Sequence, residues 1–234
     1  MAIQIEKTKI STGLEGQTIL LYGRPKAGKT TLVNEFEAPL FLATEAGHRH
    51  IKCEKFNLHK WSDFLEACAF VGEGKHEYKT IVIDTIDNLV DMCSEVVCKD
   101  LGITSPGDLD GGKGYIEITK ELKRVVKKLT DLDYTIVFIS HCVREQIKTS
   151  KGKKYDRWTI PIGGKNKGVF LGISDLILFI DYDIDPNTSE ETRTIRTRQS
   201  ASYDAGDRSN KLAPSIPFTS PKQGYEELKK QMEA

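Results

Sequence analysis

The sequence predicts an α/β fold, a three-layer α/β/α sandwich with a mainly parallel sheet between two helical layers. Two observations carry that expectation. Short apolar, β-branched runs such as Thr80-Ile81-Val82-Ile83-Asp84 and Tyr134-Thr135-Ile136-Val137-Phe138-Ile139-Ser140 alternate with longer stretches of helical spacing. Their apolar residues are consecutive, as strands buried on both faces require. The second observation is the stretch Gly23-Arg24-Pro25-Lys26-Ala27-Gly28-Lys29-Thr30-Thr31, which follows one such run and opens a helix. It fits G-x-x-x-x-G-K-[ST] at every fixed position, in the strand–loop–helix setting that gives the pattern its meaning.

In chain order, residues 3–10 alternate weakly and suggest an edge strand. Residues 18–22 form the strand before the glycine-rich loop, and 29–36 the helix after it. Residues 39–44, between Pro39 and Gly47, read as a second strand. Apolar residues at 61, 64, 65, 68 and 71 share one helical face, with Ser62-Asp63 suited to a cap. Strand 80–84, helix 86–99 and a glycine-rich loop over 102–114 follow, then an amphipathic helix over 115–132 and strand 134–140. Residues 145–162 suggest a polar hairpin turning near 150–153; strands are expected at 175–181 and 192–197, and a closing helix at 223–232. The whole chain, 1–234, reads as a single domain carrying a basic hairpin insertion over 144–167.

Lys and Arg together number 34, as do Asp and Glu, so the formal net charge is zero and a globally basic nucleic-acid binder is excluded. A local basic patch is not. No apolar run is long enough to cross a membrane, and the first residues lack the apolar core of a secretion signal. The cysteines, 53, 68, 93, 98 and 142, are odd in number and form no C-x-x-C pair, which suits reduced thiols in a cytoplasm. The spacing of His48, His50 and Cys53 fits no standard zinc pattern.

The loop residues point to a nucleoside triphosphate. Gly23 and Gly28 let the chain curl so that successive N–H groups face a phosphate, with Arg24, Pro25, Lys26 and Ala27 forming the span between them. Lys29 reaches the β- and γ-phosphates, Thr30 supplies a hydroxyl to Mg²⁺, and Thr31 meets a phosphate oxygen. Asp84, ending a buried strand, is the expected carboxylate for the metal, with Asp87 a weaker substitute. Glu45, just past the strand ending near Ala43, is placed to take a proton from attacking water. His141, at the end of another strand, is placed to hydrogen-bond the γ-phosphate and report its presence; a buried, hydrogen-bonded structural histidine is the competing reading.

Between 144 and 167 lie Arg144, Lys148, Lys151, Lys153, Lys154, Arg157, Lys165 and Lys167, against Glu145 and Asp156 alone, with Tyr155 and Trp158 among them. Basic charge interleaved with aromatic rings suits a single-stranded DNA groove; a solvated hairpin with Trp158 packed on the body is the competing reading. Arg193, Arg196, Arg198 and Arg208 form a later group able to bring positive charge to a neighbouring subunit's phosphate.

With these residues placed, the chain resembles the RecA-like P-loop NTPase core, and among such proteins the compact phage-encoded RecA-like single-strand annealing ATPases. Leu42-Ala43-Thr44-Glu45-Ala46 is similar to the segment that carries the family's catalytic Glu. Ile81-Val82-Ile83-Asp84-Thr85-Ile86 resembles its metal-binding strand, and Phe138-Ile139-Ser140-His141 its sensor strand. Tyr203-Asp204-Ala205-Gly206-Asp207-Arg208 is similar to a Tyr-x-Ala-Lys-Asp-Arg ending, with Gly206 where that Lys is expected. The role of that Lys is then absent, or moved to Arg196, Arg198 or Arg208. The resemblance covers about residues 17–210. It implies ATP and Mg²⁺ as cofactors, hydrolysis completed in trans by Arg198 or Arg208, and assembly into rings or filaments. It further implies single-stranded DNA and a single-strand-binding protein as partners, and annealing or strand exchange in phage recombination within a bacterial cytoplasm. A regulatory ATP-binding module and a small-molecule kinase stand as alternatives.

Overall fold

The structure, a computed structural model, describes residues 13–149 and 152–234. The strand expected at 3–10, and Lys151, lie outside them. The described elements are β1 (Thr18–Gly23), α1 (Lys29–Val33), β2 (Pro39–Ala43), β3 (Glu54–Asn57), α2 (Trp61–Glu73), β4 (Thr80–Asp84), α3 (Ile86–Asp100) and α4 (Lys113–Thr130). They continue with β5 (Thr135–Ser140), β6 (Val143–Lys148), β7 (Lys154–Thr159), α5 (Gly164–Ile173), β8 (Leu176–Ile184), β9 (Glu191–Arg196), β10 (Gly206–Asp207), β11 (Ser215–Phe218) and α6 (Pro221–Glu233).

The main sheet runs β11-β9-β8-β1-β5-β4-β2-β3, with β10 pairing off β8. Pairing is parallel from β8 through β1, β5, β4 and β2 to β3, and antiparallel where β9, β10 and β11 join. Side chains on successive strand positions point to opposite faces, and both faces here are apolar. Leu20 and Tyr22 of β1 and Ile136 and Phe138 of β5 pack under α2–α5, with Phe64, Leu122 and Phe170. Ile19, Leu21, Val137 and Ile139 pack the other way, with Leu32 and Val33 of α1 and Leu228 of α6. This is why these strands read as unbroken apolar runs, and it makes the sandwich three layers deep.

The structure corrects several sequence-based bounds. The helix after the glycine-rich loop ends at Val33 rather than 36. Residues to Phe36 close it with tighter i→i−3 bonds, Glu35 N to Leu32 O and Phe36 N to Val33 O. The loop at 102–114 holds two short 3₁₀ turns, and α4 begins within it, at Lys113. The hairpin comprises β6 and β7 alone, paired from Val143↔Thr159 to Lys148↔Lys154. Lys165 and Lys167, expected on it, belong to α5. The edge strand β3, α5, β10 and β11 were not expected. Asp63 caps α2 as anticipated, its Oδ2 accepting from the amides of His59 at 2.9 Å and Lys60 at 3.2 Å.

Candidate nucleotide site

Two glycines shape the phosphate loop for different reasons. Gly23 runs so close to β8 that a Cβ would lie 2.7 Å from the Ile180 carbonyl oxygen, so no side chain fits. Gly28 sits at φ 92°, in the left-handed region that disfavours a Cβ, and turns the chain into α1. Lys29 is buried, and its Nζ donates to the carbonyls of Gly23 at 2.9 Å and Arg24 at 3.0 Å. Burial lowers its pKa, and the nearby carboxylate of Asp84 pulls it back up. Thr31 Oγ1 donates to Gly28 O at 2.9 Å, tying off the loop.

Beyond the end of β1 the parallel strands deliver the expected acids. β4 lies two strands from β1 with β5 between them, and ends at Asp84. Asp84 Oδ2 accepts a hydrogen bond from Thr30 Oγ1 at 2.8 Å, so the two residues expected to hold a metal meet directly. Glu45 follows β2; its Oε1 accepts from Thr85 Oγ1 at 3.1 Å and Asn88 Nδ2 at 3.2 Å. Those two donors, at the start of α3, fix a carboxylate that is still 37% exposed. The Thr44 hydroxyl braces the same corner, donating to Thr85 O at 3.0 Å and accepting from Thr85 N at 2.8 Å.

His141 is brought to Asp87, Nδ1 to Oδ2 at 2.9 Å, and stands 3.9 Å from Glu45 Oε1. Asp87 also accepts from the His141 amide at 2.9 Å and from the Ser140 hydroxyl. These bonds occupy Asp87 and leave Asp84 as the carboxylate at Thr30. His48 was missed as a neighbour of this centre. Its ring is buried, edge-on to Phe41, with Nε2 3.2 Å from Asp84 Oδ2 but not aligned as a hydrogen bond, and Nδ1 without a partner among the described residues. Nothing in its local spacing signals that approach, which depends on β2 and β4 being neighbours.

The basic segment is less free than its composition suggests. Arg144 pairs with Asp156, Lys167 with Glu145 at 2.8 Å, and Arg157 with Asp204. Lys148, Lys153, Lys154 and Lys165 are exposed and have no carboxylate partner among the described residues. Tyr155 is half-buried. Trp158 is half-buried too, and its ring is occupied: the Arg24 guanidinium lies over it at 4.9 Å. The Trp158 carbonyl accepts from Tyr22 OH at 3.3 Å, and the same hydroxyl donates to Asp204 O at 2.5 Å. The hairpin is thereby clasped to the phosphate loop and its strand.

The late arginines scatter. Arg196 pairs with Asp183 and Arg208 with Asp175 at 3.0 Å, while Arg198 is exposed and without a partner among the described residues. Asp175 also accepts from Thr18 N at 3.0 Å, so Arg208 lies at the start of β1, the end away from its own loop. Gly206 sits at that end as well, paired with Ile177.

A mostly parallel sheet wrapped by helices, with a glycine-rich loop after its central strand, defines a P-loop ATPase core. More particularly, the chain belongs to the AAA domain family, whose model matches residues 15–209. It is also similar to the SPbeta prophage-derived uncharacterized protein YorG of Bacillus subtilis (strain 168), 28% identical over 207 residues. That match takes in 84% of this chain and 60% of the relative's length. An AAA-type P-loop domain implies nucleotide binding. Among the described residues no helix is long and apolar enough to cross a membrane.

Proposed function

We propose that this protein is a Mg²⁺-dependent ATPase of the RecA-like annealing type, stimulated by single-stranded DNA, which acts as a homo-oligomer in phage recombination by annealing or strand exchange. The observation that carries the reading is the meeting of Thr30 with Asp84 at 2.8 Å beside a braced, part-exposed Glu45. An oxygen-only pair of hydroxyl and carboxylate at the phosphate loop fits Mg²⁺, a hard cation. When bound, the ion neutralises charge on the β- and γ-oxygens.

The chain's own residues do the rest. Loop amides face the phosphates, and Lys29 exchanges its carbonyl partners for them. Glu45, held by Thr85 and Asn88, takes the proton of the attacking water. His141, tied to Asp87, stands near Glu45 and senses the γ-phosphate.

DNA would run along Lys148, Lys153 and Lys154 of the hairpin and Lys165 of α5, which have no carboxylate partner among the described residues. The stacking of Arg24 on Trp158 gives the hairpin a route to the loop. Completion of the site in trans falls to Arg198, exposed and without a partner among the described residues. The 206–208 segment, lying away from its own loop, reaches a phosphate only on another copy; Arg208 would first have to leave Asp175.

The deciding experiment is ATP turnover with and without single-stranded DNA. Stimulation supports the proposal. Nucleotide binding with DNA-indifferent, slow turnover supports a regulatory module, and phosphate transfer to a small acceptor supports a kinase.

A further inference from the structure

The antiparallel side of the sheet places a cation on the phosphate loop that the hydrolytic scheme does not use. Arg193 lies on β9, opposite Tyr182 of β8 and Phe218 of β11. Gly23, the last residue of β1, is level with Ile180, so Tyr182 and Arg193 stand beyond the end of β1, at the height of the loop. Arg193 shares a sheet face with Ile195, two positions on, and Ile195 packs in the layer that contains Leu32 and Val33 of α1. Its side chain is therefore directed to the side on which the loop enters α1. The guanidinium lies over the Phe218 ring at 4.9 Å, and Nη2 donates to Thr219 O at 3.0 Å. Nη1 faces the loop; a Cβ on Gly28 would meet it at 2.8 Å.

This guanidinium is half-buried and fixed on two sides, yet has no carboxylate partner among the described residues. Arg124, Arg144, Arg157, Arg196 and Arg208 each have one. A partly desolvated charge is stabilised by an anion, and beyond Phe218 and Thr219 this one faces the loop that receives an anion. Which end of the phosphate chain it meets follows from the sheet order. Asp84 is two strands from β1 on one side, and Arg193 two strands away on the other, each roughly 10 Å off at the usual strand spacing. Thr30 and Asp84 mark the metal and γ-phosphate end, so Arg193 approaches from the nucleoside end.

We propose that Arg193 binds the α-phosphate end of the nucleotide from within the same chain, and so sets affinity for di- and triphosphate alike. This rests on the reading of residues 23–31 as the ATP site.

The test is calorimetric titration of ATP and of ADP, with Mg²⁺, into wild type, Arg193→Ala, Arg193→Gln and Arg193→Lys. Both dissociation constants should rise by the same factor in the Ala and Gln variants, about ten- to a hundredfold for removal of a charge-assisted hydrogen bond. Lys should recover part of the affinity. The Gln variant retains a donor toward Thr219 O, and gives the reading if Ala does not fold. Unchanged ADP affinity overturns the proposal, whether ATP is then bound normally or weakened alone, since the latter places Arg193 at the γ end. Wild type that binds neither nucleotide overturns the ATP-site reading, and this one with it. Wild type that binds both, loses them on Lys29→Ala and ignores Arg193 overturns this inference alone.

Discussion

β1 divides the sheet into two flanks of opposite chemistry. On the parallel flank, β5, β4 and β2 end in acids and histidines: Asp84, Glu45 and His141, with His48 behind them. On the other flank, β9 and the turn after it carry arginines, Arg193, Arg196 and Arg198, and the Arg193 guanidinium faces the phosphate loop at Gly28. The loop thus sits between a side able to hold a metal and manage a proton and a side whose arginines can hold anions. A polyphosphate has matching ends, one where bonds break and one attached to the nucleoside. The contrast teaches that hydrolysis and affinity are separable within one chain: changes at Glu45 and Asp84 on the parallel flank should alter turnover, and a change at Arg193 on the antiparallel flank should alter binding.

The largest effect should come from the residue at the divide. Lys29→Ala should weaken ATP binding about a hundredfold or more, because it removes the charge that meets the β/γ-phosphates. Calorimetry with Mg²⁺ reads this directly, and affinity within a few-fold of wild type would break the comparison at its centre. Next is Glu45→Gln, which should leave ATP affinity near wild type and slow hydrolysis by about a hundredfold or more. Survival of turnover in this variant and its loss in Asp84→Asn would show that the acids of the parallel flank exchange roles.

A smaller, graded effect is expected on the hairpin. Replacing Lys148, Lys153 and Lys154 with Glu should weaken binding to single-stranded DNA. Its log–log salt dependence should flatten by about 0.7 for each phosphate no longer neutralised. Arg157→Ala is the contrasting change, since it breaks the partly buried pair with Asp204 and should show in the thermal midpoint. An unchanged salt slope in the lysine variant would remove the hairpin from any DNA path. The smallest effect is that of Tyr22→Phe, which deletes the hydroxyl that bonds Asp204 O and Trp158 O. It should lower stability by about 1 kcal/mol in denaturant titration. A change indistinguishable from zero would mean that the clasp between β1 and the hairpin is carried by the ion pair and backbone bonds alone.

The two flanks also differ in how far they could be read in advance. β1, β4 and β5 are apolar at consecutive positions because α-helices cover both of their faces, and that signal survives in the sequence. β3 has four exposed residues and no alternation, and it ends the sheet beside β2. β11 contains Pro217, which argues against a strand unless that strand is an edge, as here. α5 hid behind Gly164, Gly168 and Gly172 and a buried polar residue, Asn166, which accepts from Thr119 Oγ1 at 2.6 Å. At the site, the loop, Asp84, Glu45 and His141 were legible because each sits at a strand end beside a recognisable run. The approaches of His48 to Asp84 and of Arg193 to Gly28 were not, since each joins segments whose adjacency is set by strand order alone.

The cation stacked on Trp158 also has an optical consequence. The chain has two tryptophans. Trp61 is buried, its Nε1 donating to Glu121 at 3.0 Å, remote in sequence from the loop. Trp158 emits from beneath a guanidinium that belongs to the phosphate loop itself. A charge over an indole shifts the energy of its excited state, so any movement of Arg24 as phosphates enter changes the colour and intensity of that emission. With Trp61→Phe the remaining tryptophan emission comes from one indole in contact with the loop, and the protein becomes its own dye for nucleotide.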